Sequence, residues 1–182
     1  LQHPFTMKKI IGLGLLLLGA TAGQAQQLRL SLRGEQWSRP GLQAAFELPQ
    51  QANVRAFSTH WGPRFSTYYH PSNHIAVMPG LEQGLTYNHT SGLFAAVSLH
   101  FSLYRSFYKG QTYRPQADGS FKKVPLGGQW GWAPGIDLRL GYAVSPRLQL
   151  LTGASYYQQR PYNHSFRHGW AVEAGIRTTL KP

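Results

Sequence analysis

From Gly92 to Phe107 the chain alternates strictly between two kinds of side chain. Leu93, Ala95, Val97, Leu99, Phe101 and Leu103 fall on one face; Phe94, Ala96, Ser98, His100, Ser102 and Tyr104 fall on the other. Successive strand side chains point to opposite faces, so a two-residue period predicts a β-strand with one apolar face. Six further stretches repeat it. Leu28, Leu30 and Leu32 alternate with Arg29, Ser31 and Arg33; Leu42, Ala44, Phe46 and Leu48 with Gln43, Ala45 and Glu47. Leu81, Leu85 and Tyr87 alternate with Glu82, Gly84 and Thr86; Ile136, Leu138, Leu140, Tyr142 and Val144 with Asp137, Arg139, Gly141 and Ala143. Leu148, Leu150, Ala154 and Tyr156 alternate with Gln149, Gly153 and Ser155; Trp170, Val172, Ala174, Ile176 and Leu180 with Ala171, Glu173, Gly175 and Arg177. A weaker strand near Asn53 to Trp61 has an ambiguous face, and with it the prediction is eight strands.

The links between these strands alternate too. Tight turns at Pro49–Ala52, Asn88–Gly92 and Val144–Arg147 interleave with long links at about His60–Pro79, Arg105–Gly131 and Gln158–Arg167, after a short first link at Ser38–Pro40. Within the third long link, Asp118-Gly119 suits a hairpin tip. A soluble sandwich shares the strand alternation, and the aromatic residues separate the two folds. Trp37, Trp61, Trp130, Trp132 and Trp170 are placed at the strand ends next to the longer links, with Tyr87 and Tyr142 at the opposite ends. Tryptophan prefers the membrane–water interface, where its ring is apolar and its N–H finds a partner. The fold expected is therefore all-β: an eight-stranded antiparallel up-and-down transmembrane β-barrel, or ten strands if Arg64–His70 crosses separately.

The N-terminus sets the compartment. Leu1–Thr6 precede the first Met; Lys8-Lys9, an apolar run from Ile10 to Ala20 and small residues to Ala25 then have the layout of a secretory signal peptide. The expectation is export through the general secretory pathway with cleavage after Ala25, leaving residues 26–182 as one barrel domain in the bacterial outer membrane. The 182-residue chain has no Cys, so no disulfide framework is available. Only 13% of its residues are charged, which excludes a charge-rich disordered chain and a helical bundle.

That small set of charges is distributed with a pattern. Arg29, Arg33, Glu47, Glu82, His100, Asp137, Arg139, Glu173 and Arg177 fall on the faces predicted to point inward, with Arg55 as a further cation if it also points in. Eight strands leave an interior just wide enough for side chains, so these ions are expected to pair and plug the lumen rather than leave a wide pore. Arg39, Arg64, Arg105, Lys109, Arg114, Lys122, Lys123, Arg160 and Arg167 fall in the segments expected to be external, against Asp118 and, if it lies there too, Glu35. Loss of Lys8 and Lys9 lowers the net charge from +12 to +10, and the basic excess is then a property of one rim. Among them Arg105, Lys109, Arg114, Lys122, Lys123, Arg160 and Arg167 are expected to face lipopolysaccharide phosphates. An exported barrel does not meet nucleic acid, so that partner is not expected.

This architecture resembles the small outer-membrane β-barrel superfamily, the class of OmpA-like transmembrane domains, OmpX and OmpW. The resemblance covers the whole mature chain and implies outer-membrane lipid as surroundings and the barrel-assembly machinery as a partner. The last strand, Gly169–Leu180, looks like the family's assembly signal but ends in Leu180-Lys181-Pro182 instead of a terminal aromatic. The implied role is a non-enzymatic anchor or scaffold with basic external loops; the alternative is a small porin or hydrophobic-solute channel.

Two sharper chemistries compete with that role. His60, His70, His74, His164 and His168 are predicted on one side and could ligate zinc, copper or haem, but no carboxylate accompanies them at a diagnostic spacing. No metal or other cofactor is therefore expected. His70-Pro71-Ser72-Asn73 is similar to the His-x-Ser-Asn motif of the outer-membrane lipid A deacylases, which would make His70 the base, Ser72 the nucleophile and Glu82 the nearest acidic orienter. That family carries the motif near its C-terminus on a strand; here it falls before the middle, with Pro71 inside it. The expectation is no catalytic residue.

Overall fold

The computed structural model describes residues 26–51, 56–124, 127–162 and 165–180. Residues 1–25, where the leader and its cleavage site are expected, the end of the turn expected through Ala52, and Arg55 and His164 lie outside the described residues. The strands are β1 (Gln27–Glu35), β2 (Arg39–Gln51), β3 (Phe57–Tyr69), β4 (His74–Asn88), β5 (Leu93–Tyr108), β6 (Thr112–Pro115), β7 (Phe121–Val124), β8 (Trp130–Ser145), β9 (Leu148–Tyr162) and β10 (Ser165–Thr179). Eight of them close an antiparallel barrel in the order β1-β10-β9-β8-β5-β4-β3-β2, while β6 and β7 form a separate hairpin. Closure is made by β1 against β10, from Gln27 opposite Thr179 to Glu35 opposite Ala171. The barrel end that holds Gln27 and Thr179 is called the terminal rim, and the other the loop rim.

The two-residue period becomes an inside and an outside. Leu32, Leu42, Leu81, Leu99, Leu138 and Leu140 stand exposed around the outer wall, with Leu99 at 66%. Arg29, Arg33, Glu47, Glu82, Asp137 and Arg139 are buried inside it. An apolar exterior around a polar interior inverts the partition of a water-soluble protein and is the arrangement of a transmembrane barrel, whose closed ladder leaves no backbone group unpaired in lipid. The apolar cluster inside is small: Tyr68, Ala76, Met78, Tyr104, Ala133 and Tyr157. It sits toward the loop rim, above the charged groups.

Turns at the terminal rim are short for local reasons. His89 donates its N–H to Leu93 and accepts from Gly92, whose φ of 87° lies in the left-handed region that glycine enters without strain. At the loop rim, β1 and β2 are joined through Gln36 and Trp37, which take φ of 47° and 63° although neither is glycine. Trp37 is held there edge-on to Trp170, with ring centroids 5.2 Å apart.

The links toward the loop rim differ from the sequence expectation. His60–Pro79 is not a long link: it is most of β3, a turn at 70–73 and the start of β4. Gln158–Arg167 likewise belongs to β9 and β10 on either side of 163–164, and Arg64–Tyr69 is the continuation of β3, with His70 in the turn after it, rather than a separate crossing. The third link does carry its own hairpin, β6–β7, with Asp118-Gly119 at the tip and Gly119 at φ 81°. The reason for the difference is physical. A strand needs about 9–11 residues to cross the lipid, whereas β5 and β8 have 16 each. Beyond the lipid both faces meet polar surroundings, so the alternation fades while backbone pairing continues.

The placement of seven residues changes as a result. His60 and Arg64, expected in an external link, point into the lumen and are buried. Glu35 is buried as well. Trp61 pairs with Leu48 and Gln83 in the half of β3 nearer the terminal rim, so it does not join Trp37, Trp130, Trp132 and Trp170 near the loop rim. Arg105, Arg160 and Arg167 are strand residues of β5, β9 and β10, not loop residues.

Candidate functional site

The lumen is filled by side chains that β1, β2, β3, β4, β8 and β10 bring to one axis. Arg29 is its centre. Its Nε donates to Glu47 Oε1 at 2.7 Å, its Nη2 reaches both oxygens of Glu82 at 2.6 Å, and its Nη1 lies 3.6 Å from Glu173. Arg139 donates to Glu173 at 3.0 Å, to Asp137 at 2.8 Å and to Ser98 at 3.1 Å. Arg64 donates to Asp137 at 2.7 Å and to the Gln43 side-chain oxygen at 2.8 Å, which also accepts from Arg33 at 2.9 Å. Arg177 stands opposite Arg29 across the β1–β10 ladder. Like charges directly opposite repel, and Glu47 resolves this by accepting from Arg29 and, at 3.3 Å, from Arg177.

Thus Arg29, Arg33, Arg64, Arg139 and Arg177 meet Glu35, Glu47, Glu82, Asp137 and Glu173, all buried. These are five of the six acidic residues in the chain. His60 and Arg64 share the parity of Ser66 and Tyr68 along β3, and Glu35 that of Arg29 and Arg33 along β1. Continuing the period through Gly62 and Pro63 would have located the first two. His100 is inside too, its Nε2 3.5 Å from Asp137.

Glu47, His60 and Glu82 place three potential ligand atoms within 4.8 Å of one another. Both carboxylates are already engaged by Arg29, so the cation that this trio holds is a guanidinium. Among the described residues the other histidines do not converge with it. His74 lies under the loop rim among tyrosines, His70 is in the β3–β4 turn, and His168 stacks outside on Tyr156 with centroids 5.7 Å apart.

Above the ions the filling changes character. Tyr68 and Tyr104 hydroxyls lie 3.2 Å apart, and each lies within 3.3 Å of His74 Nε2. Tyr157 donates its hydroxyl to Glu35 and lies under the Arg33 guanidinium at 5.6 Å. Gly169 makes room for that ring: a Cβ there would fall 2.2 Å from Tyr157 Cζ.

On the outer wall near the loop rim, cations lie on aromatic faces. Arg105 lies over Trp130 at 4.8 Å and Phe107 at 5.1 Å; Arg160 lies over Trp132 at 5.7 Å and Phe166 at 5.2 Å. Lys109 lies over Tyr69 at 4.1 Å, hydrogen-bonds its hydroxyl, and donates to the Pro71 carbonyl at 2.7 Å. Arg167 turns toward the mouth and donates to Gln36 at 2.9 Å. Lys122 and Lys123 are exposed on β7, and the side chain of Arg114 on β6 lies outside the described ones. At the hairpin tip, donation from the Ser120 hydroxyl and N–H holds the Asp118 carboxyl below its usual range. Burial and the nearby Arg39 and Arg167 push His70 below its ordinary value.

The residues of the deacylase-like motif do not assemble into a triad. His70 and Ser72 occupy the β3–β4 turn, whereas Glu82 is deep in the lumen on Arg29.

No family model and no curated relative matches the chain. Among solved structures it is similar to Neisserial surface protein A, with TM-score 0.56 and 16% identity over 87% of this chain and 97% of that one. It also aligns with the N-terminal β-barrel domain of Pseudomonas aeruginosa OprF, with TM-score 0.49 and 12% identity over 85% of this chain and 97% of that one. The chain has the fold of the small eight-stranded outer-membrane barrels.

Proposed function

We propose that this protein is a non-enzymatic outer-membrane barrel, plugged along its axis, whose loop rim faces outward and holds the phosphates of lipopolysaccharide. The observation that carries this is the outer-wall belt of Arg105, Arg160 and Lys109, each lying on a ring beside the apolar belt. A cation on an aromatic face is oriented at little entropic cost and keeps its charge available to an anionic headgroup. Guanidinium groups also match phosphate in a bidentate manner. Trp130 and Trp132 fix the level of that belt at an interface.

The test is retention of lipid A by the purified barrel in nanodiscs, read by native mass spectrometry. Bisphosphorylated lipid A should be retained over its dephosphorylated form, and Arg105→Gln with Arg160→Gln should abolish the preference. Equal retention of both lipids would overturn the reading. The plug is tested separately: planar bilayers should show no steady conductance, and a stable open channel would favour a small porin.

A further inference from the structure

The loop rim holds a cavity of about 510 Å³ between the barrel mouth and the β6–β7 hairpin. Its walls are stitched by the backbone. Lys109 N–H donates to Asn73 at 2.8 Å, Tyr108 N–H to Gly127 at 2.8 Å, and Ser106 N–H to Gln129 at 3.0 Å. Three loop segments thereby close around one concavity, of a size usual for small-molecule sites.

Its lining is specific in chemistry. His74, Tyr104 and Ser106 line its barrel side and are nearly buried, at 5%, 2% and 2% exposed; Tyr108 and Tyr113 contribute two phenol rings. None of the lining residues is acidic, and the one cation, Lys109, is bound to Tyr69 and the Pro71 carbonyl. The Tyr68–Tyr104–His74 triangle admits two imidazole tautomers, and one of them presents a donor to the cup. When a tyrosine hydroxyl donates to His74 Nε2, the imidazole proton sits on Nδ1, and that atom is buried without a partner among the described residues. Ser106 Oγ accepts from Gln129 N–H at 2.9 Å and stands beside the Tyr104 hydroxyl as a further polar group of the wall.

We infer that this cup binds a neutral saccharide unit, whose hydroxyls meet His74 Nδ1, Ser106 and the side-chain amides while its apolar ring face lies on tyrosine. A cation would find no carboxylate in this lining, an anion would have to share Lys109 with Tyr69 and the Pro71 carbonyl, and a purely apolar ligand would leave buried polar groups unmet. A sugar offers both an apolar face and many acceptors. The inference rests on the loop rim facing outward, and concerns sugar rings where the lipid A reading concerns phosphates.

The experiment uses the refolded full barrel in detergent micelles, titrated calorimetrically with leads from an array of neutral mono- and disaccharides. A second arm uses polysaccharide freed of lipid A by mild acid, which separates an envelope source from a foreign one. Binding in either arm is expected, with at least a tenfold loss for Tyr108→Ala and for His74→Phe. Tyr113→Ala lies on the hairpin outside the barrel, so its loss of binding should occur with the heat-shifted gel band intact. Absence of binding in both arms, or affinity unchanged in Tyr108→Ala and Tyr113→Ala, would overturn the inference. Neither ligand carries lipid A, so failure here leaves the nanodisc result untouched, and the converse holds.

Discussion

The two halves of the lumen solve one filling problem with opposite chemistry. Near the terminal rim and the middle, guanidinium and carboxylate groups interlock; under the loop rim, phenols and an imidazole do the work with single hydrogen bonds. In the first half each charge has several partners on different strands. Arg29 from β1 touches β2, β4 and β10 at once. In the second half a hydroxyl has two partners, and one can substitute for the other. The ionic half therefore has a high cost of error, and the tyrosine half a graded one.

Removing the hub should produce the largest effect. Arg29→Met leaves Glu47, Glu82 and Glu173 sharing a buried space with less positive charge, and breaking a buried pair costs about 3–5 kcal/mol. The urea midpoint for refolding into bilayers should fall sharply, with loss of the compact band in cold gels. A midpoint equal to wild type would mean that the network does not hold the barrel together. In the other half the largest effect should come from space, not charge. Gly169→Val drives a branched side chain into Tyr157, and overpacking of this kind costs roughly 1–3 kcal/mol. The Tyr157–Glu35 hydrogen bond should be lost with it, visible as a changed tyrosine ultraviolet resonance Raman signature. An unchanged signature would show that the ring does not depend on that glycine.

Tyr68→Phe sharpens the contrast further. His74 Nε2 keeps Tyr104 at 3.2 Å, so the loss should be about 1 kcal/mol, the usual net worth of one hydrogen bond. A loss as large as that of Arg29→Met would erase the distinction between the halves.

The same contrast explains which parts of the fold are legible in the sequence. Leu93–Leu103 announced its strand because lipid on one side and the lumen on the other demand different residues at alternate positions. His60–Tyr69 carries His60, Gly62, Arg64 and Ser66 inside and Trp61, Pro63 and Thr67 outside, and the pattern weakens where the outer wall leaves the apolar belt. So the crossing segments were legible and their extensions were not. Arg29, Glu82 and Asp137 could be placed inside by parity alone. Their partner Arg64 is not placed by parity, because the alternation is interrupted at Gly62-Pro63, although Pro63 is paired with Leu81 in the ladder. The cup is not legible at all: it joins the β3–β4 turn, the end of β5 and the β7–β8 link through backbone bonds that leave no periodic trace.

Asp118 is the control for the buried carboxylates, since it is the one acidic residue outside the lumen. Its partners are the hydroxyl and N–H of Ser120, at 2.6 and 2.9 Å, and it is exposed. Both donors favour the ionised form, so its folded value lies below the ordinary 3.8. The sign follows from linkage. A carboxyl depressed in the folded state contributes stability that is fully present above its unfolded value and disappears as pH falls through the folded one. The Ser120 amide resonance in micelles should therefore hold steady from neutral pH down to the ordinary aspartate range and shift only below it. The barrel ladder should not respond in that step, because the hairpin pairs only with itself. A midpoint at or above 3.8 would count against the Ser120 contacts, and a simultaneous change in β5 or β8 amides would mean that the hairpin is coupled to the barrel through more than its two connections.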